Sequence, residues 1–128
     1  MTTQTQVMTT HEVANRLVAL CREGKNVEAI NELYSDNVVS FEPKGSQHEV
    51  TEGKKDVLAK TQQWLTMVEE FHGSKISDAL VTGNFFTCLM EMDITMKEVG
   101  RTEMNEVCVF EVQDGKIVFE QFFYPIHH

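Results

Sequence analysis

The stretch Val109-Phe110-Glu111-Val112-Gln113-Asp114-Gly115-Lys116-Ile117-Val118-Phe119-Glu120-Gln121-Phe122-Phe123-Tyr124 decides the fold. Asp-Gly between two runs of β-branched and aromatic residues is the strongest short-range hairpin signal a sequence carries. It predicts strands over 101–112 and 116–124, joined at Gln113-Asp114-Gly115. Working backwards, 85–97 alternates apolar and polar residues as a long strand, turned at Gly100. A further strand is expected over 72–81, turned at Gly83-Asn84. The C-terminal half is therefore a meander of antiparallel strands.

The N-terminal half has helical spacing. Val13, Leu17, Leu20 and Cys21 recur on one stripe between a Thr9 or Thr10 cap and Gly24. A short helix is expected over 27–34, with Ala29, Ile30, Leu33 and Tyr34 on its apolar stripe. Val38 to Glu42 reads as a strand stopped by Pro43, and 44–53 as a polar loop. The longest helical pattern runs over 54–71, with Val57, Leu58, Thr61, Trp64, Leu65, Val68 and Phe71 sharing a face. Helices followed by a strand meander make an α+β protein.

Strand alternation then sorts the side chains. Phe86, Cys88, Met90, Met92, Ile94 and Met96 fall on one face of their strand. Met104, Cys108, Phe110 and Val112 share a face with one charged residue, Glu106. Val118, Glu120, Phe122 and Tyr124 alternate with Ile117, Phe119, Gln121 and Phe123. Methionine at inner positions fills irregular core gaps or lines an adaptable pocket. A buried carboxylate without a partner costs several kcal/mol or stays protonated. Glu106 and Glu120 are therefore site candidates, hydrogen-bonded structural groups, or signs of a one-residue slip in the face assignment. Val107, Val109, Ile117, Phe119 and Phe123 form an opposite apolar stripe, which suggests a homodimer through the outer sheet face.

Composition narrows the function further. The 128 residues are enough for one domain, expected over 10–128 behind a flexible lead-in over 1–9. Eleven basic against twenty acidic residues leave a net charge of −9 and no basic cluster, which argues against nucleic acid and anionic membrane as partners. No apolar run approaches a membrane span, and the first ten residues do not read as a signal peptide. Cys21, Cys88 and Cys108 form no CxxC and read as reduced thiols of a cytoplasmic protein. No metal-binding spacing, phosphate loop or dinucleotide fingerprint occurs, so neither metal nor cofactor is expected. His127-His128 carry no assigned chemistry.

The order of elements, with "LYSDNVV" at 33–39, "EGKKDVLAKTQQWL" at 52–65 and the hairpin at 109–124, resembles the nuclear transport factor 2-like superfamily. The similarity points to its SnoaL-like and ketosteroid-isomerase-like branch. It implies a conical barrel: a bent, mostly antiparallel sheet wrapped around an apolar pocket, with about three helices. In the isomerases of that branch an aspartate base lies in a Glu-Asp-Pro segment, and a tyrosine with a protonated aspartic acid forms the oxyanion hole. Here Phe41-Glu42-Pro43 falls on the base segment, which makes Glu42 the implied base; read alone, Glu42 is a solvated strand-end carboxylate. The tyrosine position falls near Leu17 and the oxyanion acid near Cys108, two residues after Glu106.

Each missing oxyanion donor removes about 10²–10³ in rate, which makes ketosteroid isomerase activity itself improbable unless Glu106, Glu120 or Tyr124 substitutes. The expectation is a protein that binds a small apolar or partly polar molecule. It would act as a cofactor-independent isomerase, cyclase or lyase with Glu42 as base and Glu106, Tyr124 or Glu120 as donors. The candidate ligand contacts are Trp64, Met90, Met92, Met104, Cys108, Phe110 and Phe122. A non-catalytic binding or protein-interaction module on the same fold is the alternative.

Overall fold

The computed structural model describes residues 7–126; residues 1–6 of the expected lead-in and His127-His128 lie outside the described residues. The elements run α1 (Thr10–Arg22), α2 (Asn26–Leu33), β1 (Tyr34–Phe41), β2 (Val50–Glu52), α3 (Lys54–Met67), β3 (Val68–Ile76), β4 (Leu80–Thr82), β5 (Phe85–Met96), β6 (Gly100–Gln113) and β7 (Lys116–Phe123). One curved sheet has the order β2-β1-β7-β6-β5-β3, with β4 on β5. All pairings are antiparallel except β1 with β7, which is parallel. The sheet is mixed, antiparallel at every pairing but one, and bent without closing on itself, in keeping with the bent, mostly antiparallel sheet and three helices that the resemblance implies. It is an open, bent wall with the helices against its concave side, and α3 follows β1 and β2 in the chain.

Local chemistry explains most boundaries. The Thr9 N–H donates to Glu12 Oε1 at 2.8 Å and the Glu12 N–H to Thr9 Oγ1 at 3.2 Å, a capping box that starts α1. Of the expected lead-in, Met8 packs against the core, Val7 and Met8 lie near Gly115, and Thr9 caps α1. Asp114 (φ 50°) and Gly115 (φ 74°) both take positive φ, the backbone a two-residue hairpin turn needs.

Three expectations are corrected. The third helix ends at Met67, and Val68 to Phe71 belong to β3, paired with the C-terminal end of β5 at Ile94 to Met96. Leu65 and Phe71 are accordingly exposed. Tyr34 does not extend α2; it opens β1, and the polar loop contributes the short strand β2. Ile117 is fully buried in the core, not on the outer stripe. Glu111 pairs with Phe119 but Val112 with Ile117, so Val118 is an extra residue that turns Ile117 to the inner face. Val107 and Phe123 of that stripe remain outward and exposed.

The packed part of the interior lies under α1 and α2. Val13, Ala14, Leu17, Ala29, Ile30 and Leu33 meet Val38, Phe86, Phe110, Val112 and Ile117 from the sheet. Phe86 and Phe110 stack at 4.6 Å between centroids. α3 differs: only Val57 is buried, because the rest of its inward face lines a cavity. No helix among the described residues is long and apolar enough to cross a membrane.

Candidate functional site

Between α3, the concave sheet and the loop after β1 lies a cavity of about 280 Å³. Strand alternation delivers its polar groups. On β1 and its continuation, Val38, Ser40 and Glu42 point inward; on β7 and its continuation, Glu120, Phe122 and Tyr124 do the same. Parallel pairing sets Ser40 directly beside Glu120. α3 lies across this wall and brings Lys60 down on it from the turn between Val57 and Trp64.

The result is a continuous hydrogen-bonded group. The Tyr34 hydroxyl donates to Glu120 Oε1, and the Ser40 hydroxyl donates to Glu120 Oε2 at 2.7 Å. Lys60 Nζ donates to Ser40 Oγ at 3.0 Å and to Glu42 Oε2 at 2.9 Å. The Tyr124 hydroxyl donates to Glu42 Oε1 at 2.6 Å. Each of these two carboxyl groups thus accepts from two donors. Glu120 and Ser40 are buried, at 2 and 0% exposure, and the Lys60 and Glu42 side chains are 13 and 16% exposed. Burial pushes the Glu120 carboxyl above the usual range, opposed by its two hydroxyl donors. Burial also raises the Tyr34 phenol well above its ordinary value, with the Glu120 charge adding to it. Tyr124 is raised for the same two reasons, with Glu42 as its partner.

Glu106 stands apart. It projects from β6 between Met90, its register partner on β5, and the Tyr124 end of β7. Among the described residues its carboxyl makes no hydrogen bond, although it lines the cavity. Desolvation first, then the charges of Glu42 and Glu120, push it up to about 7, with Lys60 pulling the other way. A carboxyl that titrates near neutrality in an apolar cavity can give or take a proton at physiological pH.

Of the residues expected from sequence, Glu42, Glu106, Glu120 and Tyr124 all border the cavity, as do Trp64, Met90, Met92, Met104, Phe110 and Phe122. Glu120 does so as a saturated group beneath the wall. Cys108 is not part of the lining: it is fully buried, opposite Cys88 in register, with its thiol directed at the Glu106 carbonyl 3.9 Å away. All three cysteines are free. Leu17, at the position expected for a tyrosine, is an apolar part of the lining.

Sequence reasoning missed Lys60, Ser40 and Tyr34. Lys60 sits between Val57 and Trp64 on the edge of the apolar face of α3, where a lysine is out of pattern. Ser40 sits between Val38 and Glu42 at an inward strand position. Both signals were readable from periodicity; the role of Tyr34 was hidden by the wrong end point for α2. Among the described residues no group of three or more His, Cys, Asp and Glu side chains could hold a metal ion.

A profile of the SnoaL-like domain family matches residues 8–124. A candidate SnoaL-like polyketide cyclase from Mesorhizobium loti is similar over 91% of this chain and 100% of its own, with 32% identity and a TM-score of 0.86. A candidate SnoaL-like polyketide cyclase from Jannaschia sp. CCS1 shares the fold at 13% identity and a TM-score of 0.71, over 96% of this chain and 90% of its own. A nuclear transport factor 2-like protein of unknown function from Burkholderia pseudomallei does so at 14% and 0.76, covering 92% of each chain. No curated protein matches the sequence.

Proposed function

The chain belongs to the SnoaL-like domain family, and we propose that its cavity binds a small, largely apolar carbonyl compound. On that compound it performs cofactor-independent proton transfer, as an isomerase, cyclase or lyase does. The observation that carries this reading is the unpartnered carboxyl of Glu106 in the cavity wall, raised to about 7 by burial and by Glu42 and Glu120. Glu42 accepts from both Lys60 and Tyr124, so we assign the base to Glu106 and an anchoring role to Glu42.

In this scheme ionised Glu106 takes a proton from the carbon beside the carbonyl. The C–H electron pair forms the C=C bond of an enolate as the carbonyl π pair moves to oxygen; on return the enolate collapses and the carboxyl gives its proton to a different atom of the substrate. The developing oxyanion needs a donor. Lys60 uses two of its three N–H bonds on Ser40 and Glu42, which leaves the third for the ligand. A positioned donor of this kind contributes about 10²–10³ in rate. Methionine and aromatic walls lower the local dielectric, which strengthens each of these interactions.

Solvent exchange tests the scheme. Small aryl ketones such as phenylacetone, incubated in D₂O with the protein, should lose the α-proton signal faster, with a half-maximum near pH 7 and no acceleration by Glu106→Gln. Equal rates in the two proteins would remove Glu106 from the chemistry. Ligand carriage without turnover is the second reading, supported by the saturation of Glu42 and Glu120. Saturation-transfer binding of the ketone with no exchange would favour it.

A further inference from the structure

We infer that the molecule this cavity accepts carries a basic nitrogen, an arylalkyl- or alkylammonium ion whose charge rests against Glu106. The inference rests on the proposed reading of the cavity as a ligand site and adds the charge of the ligand. It starts from the charges in the walls. Three carboxyl groups, Glu42, Glu106 and Glu120, border the hollow, against one lysine and no arginine among the described lining residues. The charge of Lys60 is paired with Glu42 at 2.9 Å, with Ser40 at 3.0 Å beside it, so it does not neutralise Glu106. Glu120 is held by two hydroxyls. Among the described residues Glu106 is left with neither a paired cation nor a hydrogen bond.

A neutral ligand would strip water from that carboxyl and offer no charge in return, and an anion would meet a surplus of its own sign. An ammonium supplies both the counter-charge and a charge-assisted hydrogen bond. The rest of the wall suits the same ligand. Trp64, Phe110, Phe122 and Tyr124 present aromatic rings, and cations are attracted to aromatic faces within about 6 Å. Size fits as well: an apolar cavity of about 150 Å³ admits benzene, so about 280 Å³ has room for a ring and a short amine chain.

The groups facing Glu106 set the pH behaviour. They are Glu120 and Tyr124 from β7 and its end, Glu42 after β1, Lys60 from α3, Cys88 from β5 and Cys108 on its own strand, with His48 in the same lining. Glu42 and Glu120 hold Glu106 toward its protonated form, whereas a bound ammonium drives it to the carboxylate. The charge of the substrate would thereby ionise the base that acts on it, one carboxyl oxygen facing the ammonium and the other free for carbon.

Calorimetric titration of the full chain with benzylamine, benzyl alcohol and benzoate tests this, with the fluorescence of Trp64, the single tryptophan, as an independent readout. At about pH 8 benzylamine should bind about tenfold or more tightly than benzyl alcohol, and benzoate most weakly, as expected for one charge-assisted bond. The preference should vanish in Glu106→Gln, persist in Glu106→Asp, and shrink at about pH 5.5, where Glu106 is protonated while the amine stays charged. Equal affinities for amine and alcohol, or a preference that survives Glu106→Gln, would overturn the inference and leave the cavity a ligand site. Absence of binding by all three probes would overturn both.

Discussion

The two walls of the cavity carry the same kind of residue in opposite conditions. On the β1–β7 wall, Glu120 and Glu42 each accept two hydrogen bonds and share Lys60 through Ser40. On the β5–β6 wall, Glu106 lies among methionines with no hydrogen-bond partner among the described residues. Glu106 is only partly buried, and its carboxyl faces the cavity. The saturated carboxyls are explained by architecture, since they tie β1, β7 and α3 together around the hollow. Glu106 ties nothing together, and its proton affinity is left to respond to whatever enters. The contrast separates residues that build the site from the residue that can do chemistry in it.

Substitution should expose that difference as opposite effects on stability. The largest is expected at Glu120. Glu120→Ala strands the Tyr34 and Ser40 hydroxyls in the interior and leaves a void. With about 1–3 kcal/mol for each orphaned group, the expected loss is about 4 kcal/mol in chemical denaturation. A loss below about 1 kcal/mol would mean that the network is not structural. Lys60→Met comes next. Removing one partner of a buried pair costs about 3–5 kcal/mol, but both side chains retain some exposure, so about 2 kcal/mol is expected here. The same variant removes the proposed oxyanion donor, and ketone exchange should fall by about 10²-fold. Unchanged exchange alongside lost stability would confine Lys60 to the structural wall.

The sequence foretold these walls unevenly, for physical reasons. Period-two alternation put Glu106, Glu120, Phe122 and Tyr124 on inner faces because the backbone pleat enforces it, and the Asp114-Gly115 turn set the register between β6 and β7. Alternation failed at Ile117, where a bulge reset the parity and no residue type announced it. The end of α3 was also misplaced, because Val68 and Phe71 continue the helical spacing while the chain has already turned into β3. What could not be read was pairing between distant elements. Nothing local to Ser40, Lys60 or Tyr34 says that they converge on Glu120 and Glu42, since that depends on the parallel β1–β7 contact and on how α3 crosses it. The resemblance pointed to Glu42 as base by position; the two donors already on it shift that role to Glu106 in the proposal.

The smallest effect is the sharpest test, because its sign is opposite. Glu106 binds its proton more tightly when folded, at about 7 against an ordinary value of 4.5, chiefly through desolvation and then through Glu42 and Glu120. Below the ordinary value both folded and unfolded chains hold the proton, and the carboxyl imposes no penalty. As pH rises through 4.5 toward 7 the unfolded chain ionises first, and the fold loses stability relative to it. Glu106→Gln removes that loss. The variant should match the parent near pH 4.5 and become more stable above pH 7, by about 1–2 kcal/mol once partial solvent access is allowed for. Thermal or urea unfolding across that pH range measures it. A destabilised Gln variant at about pH 8 would mean that Glu106 has a partner in solution, and the distinction between the two walls would collapse.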